Sequence, residues 1–298
     1  MKFEISALAK ELKISATGFC TVEDYNGQAR GGGTASFVKP EDYRRPEQIL
    51  PGAKSVIVCA FSYYTGGRKG NISRYAQGAD YHKVTASKMK EIISFLEQRG
   101  YHAAAFSDIG GLNERLLARL SGIAFVGRNR MAINPRLGSY FFIGYVLTDC
   151  VIEPDEPCRL ECADCRRCEK ACPLGALDSG FDEEKCLSYI TQKKGDVSER
   201  EKRAMIDAGT IWGCDICQEV CPHNRAPEIT QIDEFKRDLI VDLHVDESLS
   251  NKTFMRLYGN RAFAWRGKGV LLRNQEILKT DKKIKKPLDK PKEMCYTK

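Results

Sequence analysis

Eight cysteines stand in two runs with one residue between them: Cys162-x2-Cys165-x2-Cys168-x3-Cys172-Pro173, then Cys186, then Cys214-x2-Cys217-x3-Cys221-Pro222. Thiolates at these intervals suit two [4Fe–4S] cubanes. Short Cys-x2-Cys turns let neighbouring sulfurs reach three corners of one cubane, while the fourth cysteine of the run reaches the other cluster. The expected crossing joins Cys162, Cys165 and Cys168 to Cys221, and Cys214 and Cys217 to Cys172. The second set then lacks one ligand, and Cys186 is its natural supplier. Structural zinc also uses Cys-x2-Cys pairs, but four ligands satisfy it, which leaves a third and fourth thiol in one run without a reason. Cys158, just before the first run, could compete as a ligand but reads as a spare thiol in the Pro-rich entry loop. The chemistry is one-electron transfer.

The rest of the chain sets the context for that chemistry. A disulfide framework belongs to small secreted domains, whereas this chain has 298 residues and thirteen cysteines. Its N-terminus, Met1 to Ala16, mixes Lys and Glu with Phe3, Leu8 and Leu12 at helical spacing, unlike the apolar core of a signal peptide. No stretch approaches the ~18 apolar residues that span a bilayer. Metal-binding thiols in a reducing cytoplasm are therefore expected, with no membrane association. Cys59, within Val56-Ile57-Val58-Cys59-Ala60-Phe61, reads as a small buried hydrophobe.

Length suggests about two domains, and composition shows where they divide. Over residues 1–150 strand and helix signals alternate, which implies a layered α/β (α+β) domain. Ser55 to Phe61 reads as a buried strand, Lys83 to Arg99 as a helix ended by Gly100, and Ala103 to Ser107 as a strand opening into Asp108-Ile109-Gly110-Gly111. Leu112 to Leu120 returns to helical spacing, and Tyr140 to Thr148 is a third apolar strand. Pro154 and Pro157 mark a linker. A bacterial two-[4Fe–4S] ferredoxin-like module follows over 151–225, and a short helical segment with a basic tail fills 226–298.

That last segment concentrates the basic excess behind the net charge of +7. Lys252, Arg256, Arg261, Arg266, Lys268 and Arg273 lie between Asn251 and Gln275 without a single acid, and the last twenty residues hold eight lysines against three acids. A localised basic stripe is the footprint of a polyanion. Phe254, Tyr258, Phe263 and Trp265 are interleaved with it and could stack on unpaired bases. The same aromatics could equally form a helix core. Elsewhere no Gly-x-Gly-x-x-Gly with a suitably spaced acid supports a nicotinamide site. Arg30-Gly31-Gly32-Gly33-Thr34 lacks the Lys-Ser/Thr of a phosphate loop and reads as a flexible loop. Asp80-x-His82 and Asp242-x-His244 do not continue to the Gly of a corrinoid histidine motif, so no lower axial histidine is expected.

Several long stretches resemble epoxyqueuosine reductases, the corrinoid- and iron–sulfur-dependent enzymes of queuosine biosynthesis. They are Ser73-Arg74-Tyr75-Ala76-x-Gly78-x-Asp80-Tyr81-His82-Lys83, Asp108-x-Gly110-x3-Glu114-Arg115, and Gly127-x-Asn129 leading to Asn134-Pro135-x2-Gly138-Ser139. Tyr140-Phe141-Phe142-x-Gly144 through Asp149 follows, then Cys186-x-Ser188-Tyr189-x-Thr191. Trp212-Gly213-Cys214-Asp215-x-Cys217-Gln218-x-Val220-Cys221-Pro222-x-Asn224 closes the series. The resemblance runs from about residue 50 to about residue 274.

The resemblance implies a base-off cobalamin between the α/β domain and the cluster module, and removal of an epoxide oxygen from a modified base in the tRNA anticodon loop. It places Asp108 as proton donor and Arg115 in the active site, with Asn134, Gly138, Ser139, Tyr140, Phe142 and Gly144 along the corrin ring. A carboxyl that protonates a departing oxygen near neutrality would need its pKa raised by burial. The bland alternative for Asp108 is a cap on the helix that follows. The implied partners are tRNA, met by the basic region 251–298, and an external one-electron donor such as ferredoxin or flavodoxin. A monomer is expected. Two departures stand out. The family's Asp-x-Gly-Pro reads Asp108-Ile109-Gly110-Gly111 here, and the family's C-terminal helical repeats give way after Asn274 to the lysine tail. A corrinoid reductase of the dehalogenase kind acting on a small molecule, or a non-catalytic electron-transfer protein, would share part of the cofactor set.

Overall fold

A computed structural model describes residues 1–29, 44–67, 69–108 and 110–284. The Gly-rich stretch 30–34 and the tail beyond 284 lie outside the described residues.

The first half of the chain is built on a sheet whose order is β1-β2-β6-β3, with every neighbouring pair antiparallel. The strands are β1 (Ala16–Thr21), β2 (Ser55–Ser62), β3 (Ala103–Ser107) and β6 (Phe141–Thr148); β4 (Phe125–Val126) and β5 (Ala132–Ile133) form a small separate ladder. The helices of this half are α1 (Lys2–Glu11), α2 (Val22–Gln28), α3 (Pro46–Ile49), α4 (Tyr81–Glu97) and α5 (Glu114–Leu120). β2 is buried at all eight positions, which is why it reads as an unbroken apolar run rather than an alternating one. Its alternate residues still serve different faces. Ile57, Cys59 and Phe61 pack with Ile5, Met89 and Ile92 of α1 and α4, whereas Val56, Val58 and Ala60 pack with Leu117 and Leu120 of α5. The result is helix, sheet and helix in three layers.

The expected strand at 103–107 matches its observed bounds, and the helix expected from Lys83 starts at Tyr81 because Asp80 caps it, its carboxylate accepting from the His82 N–H. The helix expected from Leu112 starts at Glu114. Its cap is Asn113, whose side chain accepts from the Leu116 N–H. That removes the capping role weighed for Asp108. Strand β1 escaped the sequence reading, since Ala16-Thr17-Gly18 gives little apolar signal.

The cysteine segment contributes short helices: α6 (Arg167–Ala171), α7 (Leu187–Gln192), α8 (Glu199–Ala208) and α9 (Ile216–Glu219). The chain closes with α10 (Asn251–Tyr258) and α11 (Lys268–Ile284). These last helices share a core with earlier parts: Ile72, Ala76, Trp212, Phe254, Phe263 and Leu271 belong to one buried cluster.

Candidate active site

At the end of β3 the chain leaves the sheet, and this departure makes the site. β2 follows β6 from Phe141 to Thr148, but β3 follows it only as far as the Ser107↔Gly144 pair. On that side the backbone of Phe141 and Phe142 has no strand partner among the described residues, and the Ser107 hydroxyl donates to the Ile143 carbonyl at 3.0 Å. A cavity of about 160 Å³ opens here, lined by Tyr81, Asp108, Glu114, Arg115, Ser139 and Phe142 among others.

Asp108 is the next residue after β3 and has φ +72°. Asp tolerates this left-handed conformation better than most side chains, and residues held there cluster at functional sites. Three contacts hold it. The Glu114 carboxylate accepts from the Asp108 N–H at 2.6 Å, the Tyr81 hydroxyl donates to Asp108 Oδ2 at 2.7 Å, and His82 Nε2 lies 3.3 Å from the same oxygen. The other ring nitrogen of His82 is 2.9 Å from Asp80 Oδ1. Tyr81 is oriented by stacking on Phe142, ring centroids 4.1 Å apart and nearly parallel.

These contacts decide the electrostatics. The hydrogen bond from His82 outweighs burial, so the Asp108 carboxyl titrates below its ordinary value, contrary to the expectation that burial would raise it. The proton sits elsewhere. Hydrogen bonds to Asp108 and Asp80 push the His82 imidazole up to about 9. Burial, with Asp108 close by, pushes Glu114 up to about 8. Two carboxyls side by side are thus driven apart, the pattern expected where acid and base roles are divided. Tyr81 and Glu114 were given no role from the sequence, and His82 was weighed only as an axial ligand and set aside. All three lie inside the motifs Asp80-Tyr81-His82-Lys83 and Glu114-Arg115, so the signal was there without the role at Asp108 attached.

Of the residues expected along a corrin ring, the structure brings Ser139 and Phe142 to this cavity. The other four are not in its lining. Asn134 braces its own turn, accepting from the Arg136 and Leu137 N–H groups and donating to the Ile123 carbonyl. Gly138 has φ +61°, and a Cβ there would collide with Asn224 Oδ1. Gly144 faces the Met89 sulfur, and Tyr140 is buried against Tyr63 and Tyr64.

The cysteines gather into two neighbourhoods. Cys162, Cys165, Cys168 and Cys221 line one small cavity, with His223 beside them. Cys217 lies near Cys214, Cys186 and Cys172, and burial followed by repulsion from its neighbours pushes the Cys217, Cys214 and Cys186 thiols up, Cys214 to about 12. Iron relieves that repulsion, since a coordinated thiol is held as thiolate. His223 borders the first group's cavity, and its Nε2 is buried without a hydrogen-bond partner among the described residues. The grouping of the cysteines is the one that two clusters would need. Cys158 joins neither group and borders a separate cavity of about 680 Å³ that also takes in Arg115, Arg119, Arg128 and Arg130.

The second quartet is tied directly to the strand edge. Gln218, next to Cys217, donates to the Ser139 carbonyl and hydroxyl at 3.0 and 2.9 Å, and Asn224 Oδ1 accepts from the Ser139 N–H at 2.7 Å. Asn129 Nδ2 donates to the Cys217 carbonyl. Ser139 is therefore shared between the cavity wall and the cysteine segment.

Comparison with known proteins agrees with this layout. Residues 44–108 match the family model "Epoxyqueuosine reductase QueG, DUF1730", and residues 161–224, which span all eight cysteines, match the 4Fe-4S double cluster binding domain. The epoxyqueuosine reductase of Lactococcus garvieae is 34% identical over 92% of this chain and 85% of its own length. The chain belongs to the epoxyqueuosine reductase family. Among solved structures, the epoxyqueuosine reductase of Streptococcus thermophilus superposes with a TM-score of 0.79 at 31% identity, covering 93% of this chain and 80% of the other. An epoxyqueuosine reductase bound to an epoxyqueuosine-modified tRNA-Tyr stem loop also gives 0.79, at 27% identity and the same coverage. The family membership makes this chain an oxidoreductase with a double-cluster domain. No helix among the described residues is long and apolar enough to cross a membrane.

Proposed function

We propose that this chain removes the epoxide oxygen of epoxyqueuosine in a tRNA anticodon stem loop to give queuosine. The names of its relatives, one of them solved with an epoxyqueuosine-modified tRNA stem loop, support the substrate, and the Asp108 site supports the chemistry. Converting an epoxide to an alkene consumes two electrons and two protons and releases water, so the site must feed both.

The residues near Asp108 supply protons. His82, charged below about pH 9, holds its Nε2 proton against Asp108 Oδ2, and Tyr81 donates to the same oxygen. Asp108 is a carboxylate at rest, so the proton taken by the departing oxygen comes from His82 by way of Asp108. Arg115, at the cavity wall, lowers the Asp108 pKa further and can hold an anionic oxygen as the bond opens. Cobalamin, when bound, would supply low-potential one-electron chemistry at carbon. Its fit rests on the strand edge at Phe141 and Phe142, with Ser139 beside it and two cavities that share Arg115. Cys172, Cys186, Cys214 and Cys217 would hold the cluster nearer that edge, and Cys162, Cys165, Cys168 and Cys221 the other. A ferredoxin- or flavodoxin-class donor would load them.

The observation that carries this reading is the carboxylate of Asp108, held in the left-handed region by Tyr81, His82 and Glu114 at the mouth of a strand edge bonded to the cluster segment. Reconstituted protein with a strong reductant should convert epoxyqueuosine in tRNA, measured by nucleoside mass spectrometry. Asp108→Asn should abolish turnover with iron, sulfide and corrinoid content unchanged. An untouched epoxide with the unaltered protein would sink the reading.

A further inference from the structure

We infer that His223 donates a hydrogen bond from its imidazole to a sulfur of the cluster bound by Cys162, Cys165, Cys168 and Cys221, and so holds that cluster at a higher potential than its neighbour. The inference rests on the assignment of those four cysteines to one cluster.

The ring is placed for this by three features. His223 sits in a short 3₁₀ turn, Pro222–Asn224, directly after Cys221. Asn224 anchors the turn by donating to the Gln218 carbonyl and the Ser139 hydroxyl, each at 2.8 Å. Phe125 meets the imidazole edge-on, ring centroids 5.1 Å apart, and fixes its plane. The ring borders the same cavity as the four cysteines, and its Nε2 is buried without a hydrogen-bond partner among the described residues. Leaving a buried polar group unpaired is unfavourable. The four cysteines line the same pocket as the ring. The backbone N–H of the same residue donates toward Cys221, so the residue is already in contact with one ligand of this set.

The other histidines are engaged elsewhere. His82 meets Asp80 and Asp108, His102 meets Asp149, and His244 lies beside Asp246. The second quartet has instead a buried carboxyl, Asp215, near Cys214 and Cys217. A hydrogen bond to sulfur favours the reduced, more negative cluster and raises its potential. The two clusters are thereby made unequal by their surroundings rather than by their ligands.

Redox titration followed by electron paramagnetic resonance on the anaerobically reconstituted full chain tests this. His223→Phe should lower one potential, by a roughly tenfold change in the reduction equilibrium, which is about 59 mV for one electron. The other potential should stay where it is, with iron and sulfide unchanged, and His223→Gln, which keeps an N–H, should recover part of the shift. In unaltered protein carrying ¹⁵N-histidine, pulsed resonance should detect coupling between a ring nitrogen and one reduced cluster. Both potentials unmoved in His223→Phe, or no coupling in the labelled protein, overturns the inference. Should His223→Phe shed its cluster, the labelled protein decides alone. Iron and sulfide for fewer than two clusters in unaltered protein would instead overturn the cysteine assignment, and the role of His223 with it.

Discussion

At the level of single residues, the site depends on which group holds the proton. Asp108 stays ionised because His82 and Tyr81 both donate to it, and His82 stays charged up to about pH 9 because two carboxylates face it. Its pKa is raised, so the charged form persists below about 9 and is lost above. Turnover should therefore hold through neutrality and fall as pH rises through about 9; a rate that instead drops between pH 5 and 7 would return the acid role to a carboxyl with a raised pKa. His82→Gln should remove the alkaline limb and lower the rate by roughly 10²-fold or more, the usual weight of a positioned proton donor. Gly111 makes a second residue-scale point. Its φ is +76°, which proline cannot adopt. Restoring the family's proline by Gly111→Pro should thus cost at least ~1 kcal/mol and displace Asp108, seen as lower thermal stability together with lower activity. Asp108 was legible from the motif, but its charge state was not, because His82 lies 26 positions away in sequence.

Secondary structure elements explain how the loop is held. α5 begins at Glu114, capped by Asn113, and so brings Glu114 back to the Asp108 N–H while Arg115 faces the cavity. Asn113→Ala should cost about 1 kcal/mol at that terminus, read as roughly fivefold faster amide exchange over residues 114–120. Unchanged exchange there would show that tertiary packing alone holds the helix. The apolar run of β2 and the face of α4 were plain in the sequence because burial selects residue type directly. The basic, aromatic stretch near α10 was less so. Phe254 and Phe263 are fully buried, while Trp265 is exposed and carries Arg266 stacked at 3.8 Å. Arg261 and Arg273 spend their guanidiniums on backbone carbonyls, as Lys268 spends its ammonium, so half of that stripe is structural. The basic surface left to meet tRNA is smaller than composition suggested.

Taken whole, the molecule places its C-terminal helices against Ile72, Ala76 and Trp212 rather than leaving them as a separate arm. The tail after Ile284 carries five lysines against two acids. Removing residues 285–298 should weaken tRNA binding and flatten its dependence on salt, because fewer phosphates are neutralised, with the chemical step unaffected on saturating substrate. Equal affinity and equal salt slope would leave the tail as a solvated extension. By itself the sequence determined the cofactor chemistry and the central strands, since ligand spacing and burial are local properties that residue types carry with them. The sheet order, the partners of Asp108, the edge of β6 beyond β3 and the setting of His223 were decided by tertiary structure. Each joins groups far apart in the chain, and the proton affinity of a group depends on the charges and dielectric that folding places around it.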